Sequence, residues 1–269
     1  MPFAPPFHAL LPSLACVLAY AASALAPHRG ARLALGLAWL LHALVLGVGL
    51  GFWHDAPHFG FAPALSVTVW LAVAVYAVEA RYYPVLQVRR ALPAPLAALS
   101  LLAVLLSLFF PGQAIVHHGA WLLPLHWALG VASYGLFAVA IVHALLMLRA
   151  ESRIRHASNA DSSLPLLTLE RLTFRFVAAG FMLLTATLAA GLLFDERLYG
   201  TPWRWNHKMV FSVLSWAVFA VLLYGRWQLG WRGWRAARWL FTGAGLLLLA
   251  YVGSRFVMEI VLHRSAPTL

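Results

Sequence analysis

Apolar runs of about twenty residues recur eight times along this chain, over residues 8–26, 32–53, 63–80, 91–110, 121–149, 171–194, 208–226 and 236–262. At roughly 1.5 Å of rise per helical residue, ~20 apolar residues span the ~30 Å hydrocarbon layer of a bilayer. Hydrophobic residues make up 63% of the chain and charged residues 10%, which excludes an ordinary soluble domain of this length. The alternating segments of about ten residues that mark an outer-membrane barrel are missing. The sequence therefore predicts an all-α polytopic membrane bundle of eight transmembrane helices, with residues 1–269 forming one integral-membrane domain. The fifth and eighth runs exceed the length needed, which predicts tilt or extension past the bilayer.

Basic residues set the expected orientation. The first, third, fifth and seventh connections carry Arg29 and Arg32; Arg81, Arg89 and Arg90; Arg149, Arg153, Arg155 and Arg171; and Arg226, Arg232, Arg235 and Arg238. The second and fourth carry none, while the sixth has Arg197, Arg204 and Lys208. By the positive-inside rule the odd connections are cytoplasmic, so both termini lie on the outer, periplasmic side. No Lys or Arg precedes Arg29, so the first segment lacks the basic start of a signal peptide and is expected to be a retained helix. The net charge of +11 is mostly this topology signal and gives no reason to invoke nucleic acid.

Several chemistries drop out. One cysteine, Cys16, excludes an internal disulfide or a CxxC relay, and its apolar surroundings predict a packed small residue. Eight acidic residues leave few candidates for paired-carboxylate catalysis. No GxSxG elbow, HExxH zinc motif or Walker loop occurs. The chain carries no evident catalytic constellation.

Histidine is distributed unevenly. Given the topology, eight of twelve lie at or near the outer face: His8, His54, His58, His117, His118, His126, His207 and His263. Neutral imidazole binds metal, so such a cluster suits haem, zinc or copper, although a loop histidine is also simply solvated. His126 stands apart, five residues past Trp121 and so about 8 Å into its helix. An ionisable group at that depth faces the protein interior and marks a site or a satisfied polar contact. Ser133 and Tyr134 lie near the same face and would continue a polar seam inward. His207 opens the seventh helix, and two imidazoles on separate helices can clamp one haem iron. His42 falls near mid-membrane, where a core hydrogen bond is the simpler role.

The segment Tyr199-Gly-Thr-Pro-Trp-Arg-Trp-Asn-His-Lys208 joins the sixth and seventh runs. Its indoles, Trp203 and Trp205, suit either an interfacial aromatic belt or a cover for a flat macrocycle. Arg255, Glu259 and His263 share one stripe of the eighth helix, where Arg255 can pair with Glu259. Alternatively Arg255 or Lys208 meets a carboxylate such as a haem propionate.

These motifs together resemble the integral-membrane cytochrome c assembly family of CcsA, CcmC and HemX-like proteins, most densely over 121–263, and within it the YpjD branch. Leu125-His-Trp-Ala-Leu-Gly-Val-Ala-Ser-Tyr134 matches a helix-borne histidine followed by a Ser-Tyr pair. Thr168-Leu-Glu-Arg171, Gly191-Leu-Leu-Phe194, Asn206-His-Lys208, Ser215-Trp216, Arg226, Gly230-Trp-Arg-Gly233 and Tyr251-Val-Gly-Ser-Arg255 complete the pattern. The family's Trp-rich loop keeps Gly200, Trp203, Trp205 and Lys208 here, with Tyr199, Asn206, His207 and Met209 at positions where the family carries Trp, Asp, Pro and Glu. Tyr224 stands where the family has an inner-half haem histidine.

The resemblance implies a haem-binding inner-membrane protein of bacterial cytochrome c assembly, holding or passing non-covalent haem b at the outer face by bis-histidine ligation. It carries over His126 as one axial ligand, and His263, offset by one residue, as the nearest match to the second. His207 is the rival for that place. Trp203, Trp205, Lys208 and Arg255 complete the expected cofactor site. Expected partners are membrane lipid and other cytochrome c maturation components, including a thiol-handling protein, since this chain has no thiol pair. The alternative is a haem-free permease or scaffold with a degenerate site.

Overall fold

Each of the eight apolar runs coincides with a helix over its described residues. The structure, a computed structural model, describes residues 7–26, 28–49, 58–82, 93–114, 122–155, 166–199 and 207–257. The helices are α1 (Phe7–Leu25), α2 (His28–Gly49), α3 (Phe61–Tyr82), α4 (Pro93–Phe109), α5 (Leu122–Arg155), α6 (Leu166–Tyr199), α7 (His207–Leu229) and α8 (Gly233–Leu248). A π-helical turn, Leu249–Gly253, and a short helix, Ser254–Phe256, continue α8. Pro63, Pro93, Pro95 and Pro124 all fall in first turns, where a missing N–H leaves no intrahelical bond unmade. Six helices are long and apolar enough to cross a membrane; Leu10–Leu25 and Pro93–Phe109 are shorter apolar helices. The protein is an all-helical, multi-pass membrane protein.

Helix bounds depart from the apolar runs where charged residues continue a helix beyond its apolar part. α5 reaches Arg155 rather than stopping near residue 149, and α6 begins at Leu166 rather than 171. The expected polar connection over about 150–170 is correspondingly shorter, and its Ser163 and Pro165 lie outside the described residues. Tyr199, read as part of a loop, is the last residue of α6. Among the described residues the only β-structure is a two-residue antiparallel bridge, β1 (His58–Phe59) with β2 (Gln113–Ala114). Gly112, at φ 84°, closes against the Phe59–Gly60 backbone, where a Cβ would collide.

Packing divides the chain into two units, Met1–His118 with Arg255–Leu269, and Gly119–Ser254. In the first, α1 is built inside out. Leu11, Leu14, Leu18 and Leu25 are exposed, while Ser13, Cys16, Tyr20 and Ser23 are buried along one helical face. Lipid tails are as apolar as leucine, so burying leucine against protein gains little there, and polar groups turn inward to find partners. Tyr20 and His42 meet through the phenol and Nδ1 at 2.9 Å, and the Nε2 of His42 meets the Ser66 hydroxyl at 2.7 Å. His42 is fully buried with both ring nitrogens engaged, the core role expected for it. The Cys16 thiol donates to the Ala38 carbonyl at 3.6 Å, as a packed residue should. Trp39 and Trp70 stack at 4.8 Å, and each indole N–H donates to the other's backbone carbonyl at 3.0 Å.

The second unit is built on aromatic packing. Phe137 of α5 and Phe219 of α7 stack face to face at 3.8 Å. Gly180 of α6 lies behind the first ring and Gly243 of α8 behind the second. A Cβ at either position would come within 3.0 Å and 2.8 Å of those rings, respectively. Ser215 donates to the Gly243 carbonyl at 2.8 Å, tying α7 to α8 at the same level.

Candidate functional site

His126 occupies the second turn of α5, at the start of the span Leu125–Ser152. Its ring is half-buried against α6, one edge facing two positions a turn apart. The backbone of Thr187 lies within reach of the ring as a polar neighbour. At Gly191 the missing side chain leaves room, and a Cβ there would lie 3.5 Å from Cε1. Nδ1 is buried and has no hydrogen-bond partner among the described residues. In metal-binding imidazoles a carbonyl that accepts from one ring N–H fixes the tautomer and leaves a lone pair on the other nitrogen. An unpartnered buried nitrogen is otherwise costly, about 1–3 kcal/mol. By its chemistry, an imidazole nitrogen without a partner is a donor suited to haem iron.

The expected polar seam beyond His126 does not run on toward a ligand. The Ser133 hydroxyl donates to the Gly130 carbonyl of its own helix at 2.7 Å. The Tyr134 hydroxyl crosses to α8 and donates to the Leu247 carbonyl at 2.5 Å, just ahead of the π-helical turn. A side chain that claims a carbonyl of the ladder is a recognised cause of such widening. Both hydroxyls are thus used in packing.

His207 is the first residue of α7 and is exposed, with Lys208 half-buried behind it. Trp203, Trp205 and His263 lie outside the described residues. Arg255 falls in the short helix that follows the π turn, and its side chain is outside the description too. The position of His126 relative to Trp203 and Trp205 therefore falls outside the described residues as well. Tyr224, where the family has a histidine, is exposed on α7.

The second unit holds a further polar cluster that the sequence reading missed. Glu170 of α6 pairs with Arg226 of α7 and, at 3.0 Å, with Arg232. Arg226 also lies 4.6 Å from the centre of the Phe174 ring and donates to the Trp231 carbonyl at 3.3 Å. Beside it is a cavity of about 10 Å³ lined by Ala144, Thr173, Leu222 and Leu240 among others, room for no more than one water.

The arrangement of helices, a half-buried imidazole with an unpartnered nitrogen and the matched motifs accord with the comparisons. A model of the cytochrome c assembly protein family matches residues 30–262. The chain belongs to the cytochrome c assembly protein family. Among its relatives, the inner membrane protein YpjD of Escherichia coli K12 is 33% identical over 168 residues, which is 61% of this chain and 63% of YpjD. The cytochrome c biogenesis protein CcsA of Synechococcus is 34% identical over 89 residues, 33% of this chain and 26% of CcsA. The CcsA of Prochlorococcus marinus is 33% identical over 89 residues, 33% of this chain and 28% of CcsA. The match thus spans under two thirds of each of these relatives. No solved structure matches the chain.

Proposed function

We propose that this member of the cytochrome c assembly family is an inner-membrane haem-handling protein that holds or passes haem b, non-covalently, between two imidazoles at the outer face. The buried, unpartnered Nδ1 of His126 carries this reading. His207 or His263 supplies the second axial bond, Trp203 and Trp205 cover the macrocycle, and Lys208 with Arg255 answers the propionates. Bound in this way, haem brings a redox-active iron whose poise is set by its axial histidines. The chain's own part is to bind, orient and exclude water. Thioether formation on an apocytochrome falls to a thiol-handling partner. The names of the YpjD and CcsA relatives support the location and the pathway.

Spectra of the protein purified from a haem-replete host test the reading. The wild type is expected to show a low-spin Soret band, and His126→Ala to lose it while keeping its helicity. A wild type without haem, or a His126→Ala variant with an unchanged spectrum, overturns the proposal in favour of a haem-free permease or scaffold. The second ligand follows from two single variants: low-spin haem that survives His207→Ala but not His263→Ala removes His207 from the site.

A further inference from the structure

The turn between α7 and α8 is more elaborately held than a connection needs to be. It joins two helices long and apolar enough to cross a membrane, which puts it at the membrane boundary. Gly230 and Gly233 adopt left-handed conformations, with φ of 62° and 54°. The Trp231 ring lies against Gly225 so closely that a Cβ there would overlap it. Its backbone N–H donates to the Gly225 carbonyl at 3.1 Å, and its indole stacks on Trp239 at 5.5 Å. Glu170 holds the turn from α6 through Arg226 and Arg232.

That pairing divides the four arginines of this region into two sets. Arg226 and Arg232 are matched by Glu170. Arg235 and Arg238 are exposed, i and i+3 on α8, and among the described residues no carboxylate lies within 4.0 Å of either. The Arg235 guanidinium sits 5.9 Å from the Trp231 ring centre, which holds it near the rigid part of the turn. Trp227 at the end of α7 and Trp234 at the start of α8 are large exposed aromatics on the two sides of the turn, 82% and 59% accessible. Indoles settle at headgroup depth, and guanidinium forks match phosphate oxygens in pairs.

We propose that this turn is a binding site for an anionic phospholipid, whose headgroup phosphate is gripped by Arg235 and Arg238 between the anchoring indoles of Trp227 and Trp234. The site is independent of the haem reading. It binds a resident lipid through charge complementarity on a preformed surface. Glu170 contributes indirectly, since its carboxylate is neutralised by two arginines and does not repel the phosphate.

Native mass spectrometry of the full chain in neutral detergent, titrated with phosphatidylglycerol or phosphatidylcholine, tests this directly. The wild type should retain phosphatidylglycerol at least several-fold better than phosphatidylcholine, and the preference should fall as salt rises. Arg235→Gln/Arg238→Gln should abolish the preference, while Arg149→Gln, an exposed arginine on α5, leaves it intact. The proposal is overturned by a preference that persists in the double variant, by equal retention of the two lipids, or by insensitivity to salt. If inorganic phosphate stabilises the wild type against heat as well as phosphatidylglycerol does, and is lost with the same arginines, the site takes a free anion and the lipid is excluded. Should the double variant misfold, the single variants Arg235→Gln and Arg238→Gln decide: each should lower the preference, and an unchanged preference in both overturns the proposal.

Discussion

The imidazole of His126 is oriented by what α6 lacks at Gly191 and by what it exposes at Thr187. A Cβ at 3.5 Å from the ring is ordinary contact, so Gly191→Ala should leave haem binding close to wild type. Gly191→Leu places branched carbons in the space of the ring and should turn it away from Thr187, with loss of the Soret band. A leucine variant with an unshifted spectrum would show that the ring is positioned from elsewhere. Tyr20→Phe carries a different expectation. It leaves Nδ1 of the fully buried His42 without its phenol, a loss of about 1–3 kcal/mol seen as a lower unfolding midpoint in detergent, with no effect on bound haem. The sequence singled out both histidines, and for His42 its depth in the membrane was enough to suggest a core bond. The partners were not legible. Tyr20, Ser66 and Thr187 stand far from these histidines in sequence, and only helix pairing brings them near.

At the level of the helices, the apolar runs made every element visible, because in a bilayer a backbone has to satisfy itself and a long apolar segment has little choice but helix. The ends were read less well. Hydropathy falls where α5 and α6 pass into charged sequence, yet hydrogen bonding carries the helices on to Arg155 and back to Leu166. The Glu170 clamp was hidden for a related reason, since Arg226 and Arg232 read as topology signals until α6 supplied their carboxylate. Glu170→Ala strips the partner from a half-buried Arg226 and should cost roughly 1–3 kcal/mol. Glu170→Gln should recover part of that, because an amide still accepts from the guanidinium. A Glu170→Gln midpoint equal to that of the wild type would remove the charge from the account. The Phe137–Phe219 stack makes an overpacking prediction: Gly243→Ala has no void to fill and should destabilise by about 1–3 kcal/mol, whereas Gly245→Ala, with open space around it, should not.

For the molecule as a whole, the arginine asymmetry predicts a topology with the connection between α5 and α6 inside and both ends outside. Reporter fusions in residues 156–165 are expected to score as cytoplasmic, and a periplasmic score there would reverse the orientation. The ring stack bears on how such a protein moves cargo. In the second unit four helices each give one residue to a single tier, glycine, ring, ring, glycine, and the separations leave those helices no slack. A tier that tight works as a bulkhead. Among the described residues these four positions leave no lane between them, so a cargo held as proposed would lie to one side of the tier. Such a unit resembles a berth more than a gate.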